Sequence, residues 1–340
     1  MITVLPFDGR GFAWDEFVSG AEGSTFCHLA GWREVMADVL GHECRYLVAI
    51  NGGGRWQGVL PLVRVRSRMF GDYLISLPFL NYGGPLGDAP ARTRLAEEAV
   101  VLARRLGVDL LELRSRRPFP GNLRVSQRKI TVLLPLPPSA DLLWARFPSK
   151  LRAQVRRAER EGVTVRFGAD QVVPFYEVFA RHMHELGTPA LPRALFERLA
   201  RLFPHLVEIG ALYQGERPIA AGCGFVWRDE FEITWASDLR EYRRTAPNML
   251  LYWEFMRRMI ARGVRTFNFG RCTPDGSTHR FKRQWGGEDV PLPWAQWSPR
   301  AVTATPSPDR PVYRLATAAW RRLPLSLTNT LGPAIARHLP

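Results

Sequence analysis

Two stretches, Arg105-Leu106-Gly107-Val108-Asp109-Leu110-Leu111-Glu112-Leu113 and Ala261-Arg262-Gly263-Val264-Arg265-Thr266-Phe267-Asn268-Phe269, carry one message twice. In each, a glycine stands where a helix ends and an apolar run follows at once. A glycine just past the last helical turn can adopt the left-handed backbone that closes it. The helical pattern before the first glycine covers roughly 90–106, with Leu95, Ala99, Leu102 and Leu106 at helical spacing. The pattern before the second covers roughly 247–262, with Met249, Trp253, Met256 and Ile260 on one face. Helix, glycine, strand is therefore the unit to look for elsewhere.

Working outward, each copy is preceded by a hairpin and a further strand. Residues 46–50, the turn Asn51-Gly52-Gly53-Gly54 and the run from Trp56 to Val65 make the first hairpin, and Tyr73–Leu77 follows as a strand. Residues 210–213, the turn Gln214-Gly215-Glu216-Arg217-Pro218 and the run Ile219–Trp227 make the second, and Phe231–Trp235 follows. Val108 and Val264 stand 156 residues apart, and the turn glycines Gly53 and Gly215 stand 162 apart. Same elements, same order and near-constant offset predict an α/β (α+β) chain. Two tandem units are expected, each a bent mixed sheet with flanking helices. The expected division is 1–138, 139–298 and a basic Pro/Arg-rich tail over 299–340. A helix over 149–162 buries Leu151, Val155 and Ala158 and puts Arg152, Arg156 and Arg160 on an opposite basic face. Two more helices are expected at 174–186 and 192–203, joined by Gly187-Thr188-Pro189. In the tail one helix is expected near Tyr313–Arg322, as an appendage to neither core.

With 340 residues, 46% of them apolar, the chain can bury two cores. No apolar run approaches the roughly 20 residues that span a bilayer, and the N-terminal stretch shows no secretory pattern, so a cytoplasmic location is expected, with the inner membrane face as a variant of it. Cys27, Cys44, Cys223 and Cys272 lie far apart, which suits reduced thiols. The formal charge is +15, from 47 basic against 32 acidic residues, and favours an anionic partner without choosing one. Only Lys129, Lys150 and Lys282 are lysines.

Several chemistries are absent as motifs: no G-x-x-x-x-G-K-[ST], no H-E-x-x-H and no G-x-S-x-G. His182 and His184, two apart on a helix, cannot share a metal, and no metal site is expected. What remains is Phe269–Gly287, where a strand enters a turn-rich loop holding Arg271, Asp275, His279, Arg280, Lys282 and Arg283 between aromatics. Cations there can hold a phosphate or stabilise an oxyanion during acyl transfer, and the same residues also read as a solvated basic turn over core aromatics. Arg243-Arg244-Thr245-Ala246-Pro247-Asn248 opens a helix with proline at its first position. The free N–H groups beyond it suit an anion, and an ordinary helix start remains the alternative.

Ser76-Leu77-Pro78-Phe79-Leu80-Asn81-Tyr82-Gly83-Gly84-Pro85, Lys150–Gly162, Leu186-Gly187-Thr188-Pro189, Ala246–Glu254 and Phe281-Lys282-Arg283-Gln284-Trp285-Gly286 together resemble the FemAB-type aminoacyl/peptidyl transferases. The similarity is to the branch associated with exosortase (PEP-CTERM) and exopolysaccharide systems, and it covers most of residues 27–297. The resemblance implies two tandem GNAT-like domains. It also implies transfer of an acyl group, typically an amino acid from aminoacyl-tRNA, onto an amine of a cell-envelope or exopolysaccharide-related precursor. No tightly bound cofactor is implied. Acyl-CoA is the alternative donor, but the usual Arg/Gln-x-x-Gly-x-Gly/Ala loop is replaced here by Arg243-Arg244-Thr245-Ala246-Pro247-Asn248. A long helical arm for tRNA is also missing.

On this resemblance Lys282, in the Phe-Lys motif, is expected to stabilise the oxyanion. Asp275, Asp238 and His279 are candidate proton acceptors. Arg271 and Arg280, with Arg243, Arg244 and Asn248, are expected to bind phosphates. Tyr252, Trp253 and Trp285 line an acceptor groove or pack a core. Tyr82 admits substrate to the first unit or makes a structural turn. Lys150, Arg152 and Arg156 follow a phosphate backbone or form a solvated face. A further class of reading is a non-catalytic binder of an anionic polymer or membrane, through Arg314, Arg321 and Arg322 among the apolar residues of the 300–340 tail.

Overall fold

The computed structural model describes residues 1–67, 70–117, 123–299 and 311–339. Its first part runs β1 (Thr3–Pro6), α1 (Gly11–Gly20), α2 (Gly31–Glu34), β2 (Glu43–Cys44), β3 (Leu47–Ile50), β4 (Trp56–Leu60), β5 (Val63–Ser67), β6 (Gly71–Ile75), β7 (Leu86–Gly87), α3 (Ala89–Leu106), β8 (Leu110–Leu113) and β9 (Arg124–Ser126). The second runs β10 (Ile130–Pro135), α4 (Ala140–Arg146), α5 (Ser149–Arg160), β11 (Val163–Phe167), α6 (Val172–Leu186), α7 (Arg193–Leu202), β12 (Val207–Gln214), β13 (Arg217–Trp227), β14 (Glu230–Asp238), α8 (Pro247–Ala261), β15 (Thr266–Cys272), α9 (Ser277–Arg283) and β16 (Glu288–Pro291). The chain ends with β17 (Trp294–Trp297), α10 (Pro311–Trp320) and α11 (Leu325–Ala336).

Both helix–glycine–strand stretches fold as the sequence predicts. Gly107 caps α3 at φ 65°, and Gly263 follows α8 at φ 77°. In each copy the strand after the helix pairs in parallel with an earlier strand of the same unit: β8 with β6, and β15 with β14. The copies differ at the hairpin. β13 is one unbroken strand, whereas Pro61-Leu62 splits the first copy into β4 and β5, which lie in different sheets. A proline removes a ladder donor, so the strand ends there.

The first unit comprises residues 1–129, 291–307 and 337–340, and the second 130–290 and 308–336. This differs from the expected division at 138 and 298. The reason lies in strand pairing: β10 joins the second sheet beside β15, and β17 joins the first unit's sheet beside β8. The first unit has sheets ordered β1-β3-β4-β7 and β2-β5-β6-β8-β17-β9. Its core sets Ala91, Leu95, Ala99 and Ala103 of α3 against Leu47, Leu60, Leu74 and Leu111.

The second unit is one sheet ordered β11-β12-β13-β14-β15-β10-β16. Helices α5 and α8 cover one face, through Leu151, Val155, Phe255 and Met256 on Phe231 and Phe267. On the other face Phe175 and Phe179 of α6 meet Phe196 of α7, which lies edge-on to Trp235. The buried positions of α5 are the three predicted, Leu151, Val155 and Ala158.

The tail is no appendage. Residues 308–336 belong to the second unit, and α11, a helix the sequence did not announce, buries Thr328, Gly332 and Ala336. His184 Nε2 donates to Leu323 O at 2.9 Å, and Arg321 Nη2 donates to Leu186 O at 3.0 Å. The expected membrane-facing helix coincides with α10, where Leu315 is 74% exposed. Residues 300–310 of the expected tail and the side chain of Arg314 lie outside the described residues. Among the described residues no helix is long and apolar enough to cross a membrane. All four cysteines are free thiols.

Candidate active site

The second unit places its polar chemistry where two parallel strands part. β14 and β15 pair only from Glu230–Glu232 to Thr266–Asn268. Beyond that point β14 continues to Asp238 on β13, and β15 continues to Cys272 on β10. α8 starts at the same end of β14, after the 3₁₀ turn Arg240–Thr245. Ala246 stands at its N-cap position with φ 56° and ψ 45°, a left-handed conformation that costs a non-glycine residue about 1–2 kcal/mol. No side chain caps this helix, and Pro247 occupies its first turn. Pro247 brings no N–H and Met249 N–H donates to Ala246 O at 3.0 Å, which leaves the Asn248 N–H as the donor for an anion at the positive end of the helix dipole. Asn248 Oδ1 is buried there without a hydrogen-bond partner.

Arg243 is half-exposed and donates from Nε to Asp238 Oδ2 at 2.9 Å, so it holds that carboxylate at the end of β14. Arg244 is exposed beside it. The backbone carbonyl of Asp238 accepts from His182 Nδ1 at 2.8 Å. Because a carbonyl can only accept, the proton sits on Nδ1 and the Nε2 lone pair of His182 is left available. The sequence rules His182 out as a metal ligand with His184 and gives it no other role. Its pairing depends on a carbonyl 56 residues away, which no local pattern announces.

Lys282 lies on α9 and is only 5% exposed. Its ammonium donates to Gly270 O at 2.6 Å and to Arg271 O at 2.9 Å. Consecutive carbonyls normally point to opposite sides of a strand. Gly270 adopts φ 68°, and the β10–β15 register shifts between Thr131 and Leu133, so a bulge turns both carbonyls toward the lysine. Burial pushes the Lys282 pKa down to about 8, opposed by the nearby Cys272 and Glu232 and reinforced by Arg271. The lysine thus holds a bulged strand end in place and keeps one of its three N–H bonds unused.

The remaining expected residues fall into three groups. Asp275 (φ 62°) is exposed; its N–H donates to His279 Nδ1 at 3.0 Å, and His279 Nε2 donates to Asp289 at 3.0 Å. Both ring nitrogens of His279 are therefore engaged, and its lone pair is not available as a base. Arg280 folds back onto Asp275 O, while Arg271 is half-buried on β15. Tyr252, Trp253 and Trp285 are core and not a groove lining. Trp253 packs on Trp144 and Phe147, and Trp285 on Phe147 and Tyr252. Burial holds the Tyr252 phenol well above its ordinary pKa. Lys150 and Arg156 are exposed on α5 and Arg152 is half-buried there, with the Arg156 guanidinium 5.5 Å from the Trp144 ring centre. Among the described residues no group of three His, Cys, Asp or Glu could hold a metal.

Tyr82 leads to a second place that the sequence hardly signalled. It is fully buried beneath the Arg116 guanidinium, 4.3 Å from the ring centre, and lines a cavity of about 260 Å³ in the first unit. His28 lines the same cavity, donates from Nε2 to Gly84 O at 3.0 Å and accepts Thr25 N–H at Nδ1. Burial pushes its pKa down to about 4, so it is neutral at physiological pH. Gly84 N–H in turn donates to Arg114 O at 2.6 Å, and a Cβ at Gly84 would come within 2.7 Å of that oxygen.

Residues 145–283 match the Acetyltransferase (GNAT) domain family, so the second unit is a GNAT acyltransferase domain and the chain is a transferase. No curated protein matches the sequence. Among solved structures the chain is similar to FemX, at 12% identity and a TM-score of 0.63, with 93% of this chain and 100% of that one covered. It is similar to a tandem GNAT protein from the clavulanic acid biosynthesis pathway, at 13% identity and a TM-score of 0.55, covering 89% and 100%. It is also similar to the C-terminal domain of a putative lysylphosphatidylglycerol synthetase from Agrobacterium fabrum, at 12% identity and a TM-score of 0.57, covering 84% and 90%. At these identities the likeness establishes the fold: two tandem GNAT-like units.

Proposed function

We propose that this protein is a FemAB-type acyltransferase that moves an acyl or aminoacyl group onto an amine of a cell-envelope or exopolysaccharide-related acceptor, as in exosortase-associated systems. The observation that carries the reading is the uncapped start of α8 at the point where β14 and β15 part. An activated ester or thioester held by its phosphate at that helix end would extend its carbonyl between the two strands. Attack by an amine then needs alignment, a proton acceptor and stabilisation of the developing oxyanion. In this reading His182 Nε2 takes the amine proton, directly or through water, and Asp238 holds the imidazole through its carbonyl. Lys282 fixes the Gly270–Arg271 bulge at the end of β15, and its spare N–H is the group that would meet the oxyanion.

One observation favours acyl-CoA over aminoacyl-tRNA as donor. Ala246 occupies the first glycine place of the Arg-x-x-Gly-x-Gly/Ala pattern and adopts the left-handed backbone that a glycine would supply there. The backbone there thus has the turn a glycine would supply, although the glycines are absent and Pro247 brings no N–H. Calorimetry of the full chain with acetyl-CoA and longer acyl-CoAs tests this. Saturable binding weakened about tenfold in Arg244→Gln is expected, since one charge-assisted hydrogen bond is worth roughly that much. Binding of a non-hydrolysable aminoacyl-tRNA analogue with no acyl-CoA binding would assign the donor to the tRNA class instead. Binding of neither would remove the donor site from α8.

A further inference from the structure

The C-terminal helices carry a surface that the acyl-transfer site does not use. Among the described residues twelve large apolar side chains are exposed, and four of them, Leu315, Leu325, Leu327 and Leu331, fall on α10 and α11. A fifth, Leu186, sits where Arg321 ties down the end of α10, donating from Nη2 to the Leu186 carbonyl. Such a cluster in one short stretch is a patch and not the single scattered leucines normal for a surface. Helix periodicity explains how it is made. On α11, Thr328, Gly332 and Ala336 are buried, and a Cβ at Gly332 would come within 3.2 Å of the Ala190 backbone nitrogen. Leu327, Leu331 and Ala334 recur at i, i+4 and i+7 and form a second row that stays exposed. On α10, Leu315, Ala318 and Ala319 are exposed in the same way, and Arg322 follows in the closing turn, its N–H on Ala319 O.

The charge on this stretch is one-sided. Residues 311–339 hold Arg314, Arg321, Arg322 and Arg337 and no aspartate or glutamate, in a chain with 32 acidic residues. Arg321 and Arg322 are exposed beside the apolar rows. Exposed leucines have no use on a phosphate backbone or an acidic glycan, which disfavours a polymer. A second copy packed by two-fold symmetry would set one basic patch against another, which disfavours self-association. Apolar rows flanked by arginines and free of acid match the interface of an anionic bilayer. There leucines enter the acyl boundary while guanidinium groups meet lipid phosphates.

We propose that α10 and α11 seat this protein on the surface of a membrane rich in anionic lipid, with Leu315, Leu327 and Leu331 inserted and Arg321 and Arg322 on the headgroups. The attachment is peripheral, since among the described residues no helix is long and apolar enough to cross a membrane. The pair is tied to α6 through His184 and Leu186, within about one helical turn of His182. On the acyltransferase reading above, that links the proposed proton acceptor to the bilayer-bound helices, whereas the surface itself does not depend on that reading.

The test is co-sedimentation of the full chain with vesicles of phosphatidylcholine alone and of phosphatidylcholine mixed with phosphatidylglycerol, at low and high salt. Wild type is compared with Arg322→Gln, with the double variant Leu327→Ser/Leu331→Ser and with Arg128→Gln. Arg128, exposed between β9 and β10, controls for the loss of one charge elsewhere. Wild type should bind the anionic vesicles saturably, more weakly at high salt, and the neutral ones about tenfold less. Binding should fall about fivefold in Arg322→Gln and about tenfold or more in the double variant, and hold in Arg128→Gln. Every substituted position is exposed, and circular dichroism with thermal unfolding establishes that each variant folds; Leu315→Ser gives a second apolar reading should the double variant fail. No binding to anionic vesicles, equal binding to both kinds, equal weakening by Arg322→Gln and Arg128→Gln, or an unaffected double variant would each overturn the proposal. Self-association that the double variant abolishes, with no vesicle binding, would assign the rows to a second copy instead. No acyl donor or amine enters the measurement, so its failure leaves the transfer reading standing, and failure of that reading leaves the membrane contact standing.

Discussion

Lys282 gives the sharpest quantitative prediction. An ordinary lysine titrates at 10.5 and this one at about 8, a gap worth about 3 kcal/mol between its two protonation states. Below pH 8 both folded and unfolded chains hold the proton, and the folded state bears the whole penalty. Between pH 8 and 10.5 the unfolded chain keeps the proton while the folded chain releases it, so stability rises with pH by up to about 1.4 kcal/mol per pH unit. Lys282→Met removes the titration and leaves Gly270 O and Arg271 O without a donor, at about 1–3 kcal/mol each. At pH 7 relief of the charge offsets much of that loss, so the variant should be near wild type or moderately weaker. By pH 10.5 it should fall behind wild type by about 3 kcal/mol more, because wild type then holds the same carbonyls with a neutral amine. Urea unfolding of both proteins across this range measures the difference, in which other titrating groups cancel. Lysine labelled with ¹³C at Cε offers a direct check, since the chain has only Lys129, Lys150 and Lys282. One of three signals should move near pH 8 and vanish in the variant. A stability difference independent of pH, or three signals all titrating above pH 10, would refute the reasoning.

The left-handed Ala246 predicts that Ala246→Gly stabilises the second unit by about 0.5–1 kcal/mol, the relief of strain less the added freedom of the unfolded glycine. Thermal unfolding checks this, and a loss of stability would mean that the backbone there is not left-handed. Trp253→Ala should cost about 3–5 kcal/mol, because Trp253 is packed between Trp144 and Phe147. A variant of unchanged stability that binds acceptor less well would return Trp253 to the groove.

Much of the fold is legible in the sequence because its signals are local. Gly107 and Gly263 each end an amphipathic helix and announce a strand, and the repetition of that pattern along the chain by itself implies two copies. What stayed hidden depended on distance. β10 could not be assigned to the second sheet from residues 130–135, since its partner Thr266–Cys272 lies more than a hundred residues later. Trp253 and Trp285 sit at spacings that serve a core or a groove equally, and only their neighbours decide. Lys282 stands out for its rarity, but its carbonyl partners follow from the bulge at Gly270, which sequence spacing does not reveal. The cavity beside Tyr82 draws on α3, the segment after β8 and residues 22–28, so no single stretch announces it.

The two copies also differ in how the equivalent helix begins. α3 and α8 are equivalent helices, each set between a pair of parallel strands. At α3 the start is closed: Asp88 caps it, accepting Ala91 N–H at 2.8 Å, and a carboxylate at a helix N-terminus repels another anion. At α8 the start is open, with no side-chain cap, and Arg243 and Arg244 precede it. On the transferase reading proposed above, a phosphate-bearing donor would suit the second copy and be disfavoured by the first at the corresponding place. The first copy has instead gathered its cations at the cavity beside β8, where Arg114 follows the strand and Arg92 reaches in from the helix whose N-terminus is closed.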